Sequence, residues 1–444
     1  MTSPEPHATT RTSNSEDEYD ILDLFAGPGG LDVAAHFLGR KAIGIEWDAN
    51  ACETRYSAGL ATIHADVCDM RRDPGQYRDL LKNIRVLAGG PPCQTFSVAG
   101  SGTGRQALDE VSSFIHRLVD DPDSSDVIDK ELSSAKIDER TALVLEPLRW
   151  ILGAILDEDR KPFETIILEQ VPAVLPVWEV YERVLRHRLP NGVRYRTVSG
   201  VLRTEQYGVP QTRKRAVLIA QLGDGPEPLL PRSTHQPFTR LRGTEALAFE
   251  AGISEPQAMF DLEPAPQSGT REPNDPAPLP VTMAAALEAA REQVGPAADL
   301  PPRSSFVVRS NYGSGGDPKK RGERAHDEPA FTVTGKVSRN VVMSKEGADK
   351  FSIPEAGVLQ TFPGNFPWGG KDRAQQVGNA VPPRFGVHLL AAALGVDEAA
   401  RDRALAGMGI WPGVTPEQSN ALRELGCGTH CPPTPPHPAR EDLR

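Results

Sequence analysis

The stretch GGPPCQTFSVAG, Gly89 to Gly100, carries one of only five cysteines in a chain of 444 residues. Pro91 and Pro92 restrict the backbone ahead of it, so Cys93 is presented in a fixed direction. A lone cysteine is ordinarily inert packing, but a thiol aimed by such a step is suited to nucleophilic attack, provided a cationic neighbourhood favours its thiolate. Two further features fit that chemistry. Glu169 follows the apolar run 165–168 and precedes Val171-Pro172, a position for a carboxylate that holds or donates a proton. Arg213 and Arg215 alternate, so on a strand they share one face and bring positive charge to it. A basic patch facing phosphate is the alternative for Arg215. The span from Thr95 to Gly104 is rich in Ser, Gly and Thr, the composition of a loop that opens and closes.

A second constellation begins at DLFAGPGGL, Asp23 to Leu31. An apolar run enters a turn through Phe25, Ala26, Gly27, Gly29 and Gly30 and then a helix, which lets backbone approach a ligand closely. Glu46 stands nineteen residues past Gly27, where an acidic side chain suits ribose hydroxyls. The third glycine comes too early for a dinucleotide fingerprint, so the turn fits an adenosyl ligand at least as well as NAD. Trp47 offers a flat face for adenine, or else fills a core. Asp66 can accept from an adenine amino group, or else cap a helix.

The elements that must carry these residues alternate. Short apolar runs at 21–25, 42–45, 62–65, 85–88, 165–168, 195–202 and 216–220 are separated by helical segments, which predicts a parallel, doubly wound α/β sheet. Cys93 then lies just past the carboxyl end of the fourth strand, where such sheets bind ligands. Residues 1–18 read as a disordered tail and 102–139 as a polar surface insertion ahead of a helix at 140–156. Runs at 306–308, 330–333 and 341–343 predict strands of a smaller unit, and 385–394 a last apolar helix. No stretch approaches the ~20 apolar residues of a membrane span, and the polar N-terminus lacks the apolar core of a signal peptide. A cytoplasmic protein with reduced thiols is expected. The net charge of −11 argues against a surface coated for non-specific nucleic-acid binding but leaves room for a basic cleft. Cys427, His430 and Cys431 lack the second ligand pair of a structural zinc site, so no metal is expected.

Taken with their order, these motifs resemble the S-adenosylmethionine-dependent DNA (cytosine-5) methyltransferases of bacterial or phage type. The resemblance rests on DLFAGPGG, GGPPCQTFS, Leu168-Glu169-Gln170-Val171-Pro172, the Q-x-R-x-R pattern of Gln211, Arg213 and Arg215, the stretch from Arg324 to Thr334, and Gln376-Val377-Gly378-Asn379. It implies a Rossmann-like methyltransferase fold with a smaller target-recognition domain. It also implies S-adenosylmethionine as methyl donor and duplex DNA as substrate. Cys93, Glu169, Arg213 and Arg215 are its implied catalytic residues. Phe25, Ala26, Gly27, Gly29, Gly30, Glu46, Trp47, Asp66, Pro92 and Asn379 would line the cofactor, and Gln94, Ser97 and Gln211 would meet the substrate. The expected chemistry is addition of the thiolate to C6 of a flipped-out cytosine, which makes C5 nucleophilic. The family's usual asparagine after the carboxylate is here Gln170. The expected organisation is catalytic at 19–225 and 350–396, target-recognising at 226–349, and a tail from 397 to 444. A monomer is expected, with a cognate restriction endonuclease as a possible companion. The alternatives are tRNA cytosine-5 methylation and a catalytically silent DNA-binding regulator.

Overall fold

A computed structural model describes residues 19–92, 102–134, 142–239, 277–295, 299–313 and 321–426. Cys93, Gln94 and Ser97 lie outside the described residues, as do residues 1–18, the Lys319-Lys320 pair, and Cys427 and Cys431. Seven strands form the main sheet: β1 Ile21–Leu24, β2 Ala42–Glu46, β3 Ala61–His64, β4 Val86–Gly89, β5 Thr165–Gln170, β6 Tyr195–Arg203 and β7 Lys214–Leu222. Their spatial order is β3-β2-β1-β4-β5-β7-β6. After β3 the chain crosses back over β1 to start β4, so the carboxyl ends of β1 and β4 flank the switch point where open α/β sheets bind ligands. Leu24 pairs with Gly89, and Gly89 with Leu168, which brings the three strand ends level.

The sequence pattern predicts a parallel sheet, and the structure corrects this at one edge. β7 runs antiparallel to both β5 and β6. The ten residues 204–213 between β6 and β7 hold a short 3-10 turn, Thr204–Tyr207, and no crossover helix; a parallel return requires a longer connection.

Both faces of the sheet are covered. Helices Gly102–Asp120, Ser125–Ser134, Glu146–Leu156 and Leu175–His187 pack on one face through a core that includes Ile115, Ile128, Trp150 and Trp178. Gly30–Phe37, Pro383–Leu394 and Glu398–Gly407 cover the other through Leu31, Phe385 and Ala404. A smaller antiparallel sheet, ordered β11-β10-β8-β9, is built from β8 Phe306–Gly313, β9 Arg321–Ala325, β10 Val341–Ser344 and β11 Gly347–Asp349. The helix Met283–Val294 and the helix Ile353–Leu359 close its core around Phe306, Val308 and Phe351.

Three expectations are corrected. Residues 102–134 are not a solvated insertion: Val111, Phe114, Ile115 and Leu118 recur at helical spacing and are buried. Part of their charge is consumed in ion pairs: Asp129 accepts from the buried Arg149 Nη2 at 2.6 Å and from the exposed Arg72 Nη2 at 2.8 Å. The stretch 330–333 is no strand of the smaller sheet; it lies beside 210–213, with Ala330 N donating to Pro210 O and Thr212 N to Ala330 O, both at 2.9 Å. The span 397–426, read as tail, holds Glu398–Gly407 and Pro416–Gly426. The second of these helices lies along β3, an edge of the main sheet, and Tyr77 donates its hydroxyl to Leu425 O at 2.6 Å. An edge strand left bare invites pairing with other chains, and this helix covers it.

Trp411, between those two helices, is 4% exposed, stacks near Phe37 and Phe366, and donates Nε1 to Ala58 O at 2.9 Å. Trp411→Ala is expected to lower unfolding free energy by about 3–5 kcal/mol, as large aromatic deletions in cores do. Urea denaturation measures it; a loss below about 1 kcal/mol would mean that this segment is not part of the cooperative core.

Candidate active site

The glycine turn after β1 separates three backbone demands. Phe25 adopts φ 59°, a conformation side chains rarely take outside functional turns. Gly27 (φ 55°) has nothing within 4 Å of the place a Cβ would occupy, so its open side is free for a ligand. Gly29 (φ 100°) would drive a Cβ to 2.2 Å from Leu60 Cδ1, and Gly30 to 2.1 Å from the Val381 carbonyl. Gly30 thus serves close packing of the chain just after Asn379, and Gly27 alone faces outward.

Glu46 holds this turn from below. Its carboxylate accepts from Gly27 N at 2.7 Å, Trp47 N at 3.0 Å and Asp48 N at 2.8 Å. Burial pushes its pKa up, opposed by the Asp48 and Gly27 hydrogen bonds. Ala26 N donates to Ile45 O at 3.1 Å, fixing the turn to β2. Trp47 is 58% exposed, which removes the core reading and leaves a flat face beside the turn. Asp66 caps the helix Val67–Arg72, accepting from Cys68 N at 2.7 Å and Asp69 N at 3.3 Å on one oxygen. The cap reading is therefore correct for that oxygen.

A buried ion pair that sequence reasoning missed lies under the turn. Arg55 donates to both oxygens of Asp32 at 2.8 Å and to Thr62 Oγ1 at 2.9 Å. Gly44 makes room for it, since a Cβ there would fall 2.2 Å from Arg55 Nη2. Asp23 sits beside the pair with its pKa raised well above the carboxylate range, by burial first and by Asp32 next. The available signal was an arginine on the buried face of the helix Ala49–Ser57.

The second group gathers at the ends of β4 and β5. Glu169, 5% exposed, lies opposite Val217 on β7, so Arg215 is its diagonal neighbour on the same face. Arg215 Nε stands 2.6 Å from Glu169 Oε1. The contact is a close, buried ion pair. Burial lowers the Arg215 pKa and Glu169 opposes the shift. The pairing removes the phosphate-facing alternative for Arg215. A Cβ on Gly90 would lie 3.5 Å from Glu169 Oε2, so the other oxygen faces the start of the proline step. Gln170 fastens that step, donating Nε2 to the Pro91 carbonyl while its Oε1 accepts from Val171 N at 2.6 Å. Pro92, partly buried, ends the described part of the step.

Arg213 behaves differently from Arg215. It is 4% exposed, and Nη1 donates to Val333 O at 3.0 Å and Gly378 O at 3.1 Å. Burial, and then Arg215, hold its pKa well below the usual arginine value. Gln211 is fully buried, donating Nε2 to Leu359 O at 2.8 Å and Gln360 Oε1 at 2.7 Å while its Oε1 accepts from Val333 N at 2.9 Å. The expected substrate contact of Gln211 is overturned, because every face of its amide is committed to the fold. Asn379 is exposed at the end of the helix Arg373–Asn379, and its Oδ1 accepts from Gln375 Nε2 at 2.8 Å.

The sequence model of a family described as C-5 cytosine-specific DNA methylase matches residues 19–114 and 166–394. The chain is 24% identical over 368 residues to the Type II methyltransferase M1.HphI of Haemophilus parahaemolyticus, spanning 82% of this chain and 83% of that one. It is 25% identical over 402 residues to the Type II methyltransferase M.Eco47II of Escherichia coli, spanning 85% and 81%. Among solved structures it is similar to the S. pombe Dnmt2 methyltransferase, with 15% identity and a TM-score of 0.47, over 85% of this chain and 99% of that one.

The glycines separate packing from binding. Gly27→Ala is expected to cost about 1–2 kcal/mol of stability for the left-handed backbone while S-adenosylmethionine affinity falls roughly tenfold or more. Gly30→Ala should instead destabilise the fold through its clash with Val381, by about 1–3 kcal/mol. Denaturation and titration calorimetry measure the two effects; unchanged affinity in Gly27→Ala would show that the open side of the turn is not the cofactor's.

Proposed function

Since the chain belongs to the C-5 cytosine-specific DNA methylases and is a DNA cytosine-5 methyltransferase, we propose that it acts through a covalent bond between Cys93 and C6 of a cytosine turned out of duplex DNA. The methyl donor of the family is S-adenosylmethionine, which supplies an electrophilic methyl group on sulfur. The observation that carries the reading is the Glu169–Arg215 pair, with one carboxylate oxygen 2.6 Å from Arg215 Nε and the other facing Gly90. Cys93 follows Gly90 by three residues, at most about 11 Å of extended chain.

The proposed roles follow from that arrangement. The Cys93 thiolate adds to C6, and Glu169 holds a proton at N3, so that negative charge does not accumulate in the ring. The oxygen facing Gly90, which is not the one against Arg215, is the one such a contact requires. Arg215, partly withdrawn from water, favours the thiolate and the O2 side of the base. C5 then takes the methyl group. Loss of the C5 proton expels the thiolate and restores the aromatic ring. Duplex stacking hides C6, so the base must leave the helix first, with Gln94 and Ser97 beside it. Arg213 acts through position, not contact. Phe25, Gly27, Glu46, Trp47, Asp66, Pro92 and Asn379 form the proposed cofactor wall: an open glycine, a buried carboxylate and an exposed indole match an adenosyl group in chemistry. Residues 226–349 are proposed to read the target sequence, with catalysis in 19–225 and 350–396. The Type II names of the relatives support a restriction-modification setting with a cognate endonuclease, for a monomeric, cytoplasmic enzyme. No helix among the described residues is long and apolar enough to cross a membrane.

DNA carrying 5-fluorocytosine at target sites tests the covalent step, because fluorine does not leave as a proton does. Wild-type protein with S-adenosylmethionine should give a denaturation-resistant adduct, and Cys93→Ser should give none while retaining cofactor affinity. An active enzyme that forms no adduct would overturn covalent catalysis; an adduct with the serine variant would exclude Cys93 as the nucleophile.

A further inference from the structure

A cleft of about 240 Å³, with none of the glycine-turn residues in its lining, lies where the helix Met283–Val294 meets the segments 361–364 and 405–409. The helix Met283–Val294 forms one wall, with Ala286, Ala289 and Ala290, and Leu405 and Met408 form the opposite one. Its polar lining is Arg384, Thr361 and Gln293, so donors converge there with no carboxylate among the lining residues. Gly208, with φ 74°, makes space for the arginine: a Cβ there would lie 2.7 Å from Arg384 Nε and 2.9 Å from His235 Cε1.

Arg384 has no ion pair among the described residues, and its Nε finds no acceptor. Two histidines flank the arginine. His388, with neither ring nitrogen bonded, is pushed down to about 3 by burial, then by Arg401 and Arg384. His235 is lowered by burial and by Arg384. Asp402, the acid whose charge acts on Arg384, is already taken by Arg401 at 2.8 Å. Arg384 is partly buried with its Nε shielded from water and unpartnered, which is costly for a cation, and a cleft with apolar walls beside it fits a counterion with an apolar body.

We propose that this cleft binds a small organic carboxylate, its anionic end on Arg384 and Thr361 and its apolar body against the alanines of Met283–Val294. The volume is below that of pockets for drug-sized molecules, which limits the ligand to a short chain or a single ring. The site is distinct from the proposed catalytic centre and needs neither DNA nor methyl donor.

Hexanoate is a suitable probe, with hexanol and an equal concentration of sodium chloride as controls for the body and the ionic strength. Thermal unfolding of the full chain should show a saturable rise of about 1–3 °C with hexanoate, and none with hexanol or chloride. Arg384→Gln should abolish the rise. Ala289→Phe, at an exposed helical position lining the cleft, should abolish it with Arg384 intact, which guards against a folding defect in the first variant. A rise that survives both substitutions, or no difference between hexanoate and chloride, would overturn the site.

Discussion

Five residues at the entry to β7 govern the geometry of everything around them. Gln211 joins the segment at Val333 to the end of the helix Ile353–Leu359. Arg213 bridges Val333 and Gly378. Arg215 meets the carboxylate of Glu169. These are long-range contacts made by one short stretch whose backbone is held at Gln211 and Thr212 by Ala330 and at Lys214 and Arg215 by pairing with β6. Arg213 also places a cation against the C-terminal turn of the helix Arg373–Asn379, where unpaired carbonyls and the helix dipole favour one. The approach is tight: a Cβ on Gly378 would lie 2.0 Å from Gly335 N. Removing the bridge would leave buried carbonyls unsatisfied on two chain segments at once, each at a cost of about 1–3 kcal/mol.

The same economy operates under the glycine turn. Glu46 satisfies three backbone donors and so holds Gly27, Trp47 and Asp48 in one arrangement. Arg55 and Asp32 fix the helix that follows. A buried pair of this kind contributes little net stability against an apolar replacement but penalises any other placement of its partners heavily. Rigidity at the turn is what a ligand bound by close backbone contact requires, because a loose cradle would have to be ordered on binding.

Much of this was legible in the sequence because it is local. The β-α alternation, the glycine turn, the acid nineteen residues beyond it and the thiol on its proline step are each confined to a few neighbouring residues. The doubly wound sheet and the family resemblance followed. What escaped was non-local or masked by charge. Nothing adjacent to Gln211 announces partners at 333, 359 and 360, so its amide read as a substrate contact. The helices at 102–134 looked solvated because their acids are numerous, yet Asp129 is spent on two arginines. The antiparallel β7 was betrayed only by the lack of a helix in 204–213. The helices after 397 carry few large apolar residues, and Trp411 anchors them through a contact with a carbonyl at position 58.

The central claim is methyl transfer to cytosine C5 in DNA, and the product nucleoside tests it most directly. Purified protein would be incubated with unmethylated duplex DNA and isotopically labelled S-adenosylmethionine, with tRNA in a parallel reaction, and each digested for mass spectrometry. Label is predicted in 5-methyldeoxycytidine from the duplex and in no nucleoside from tRNA. Label on an exocyclic amine, or in the tRNA alone, would contradict the account.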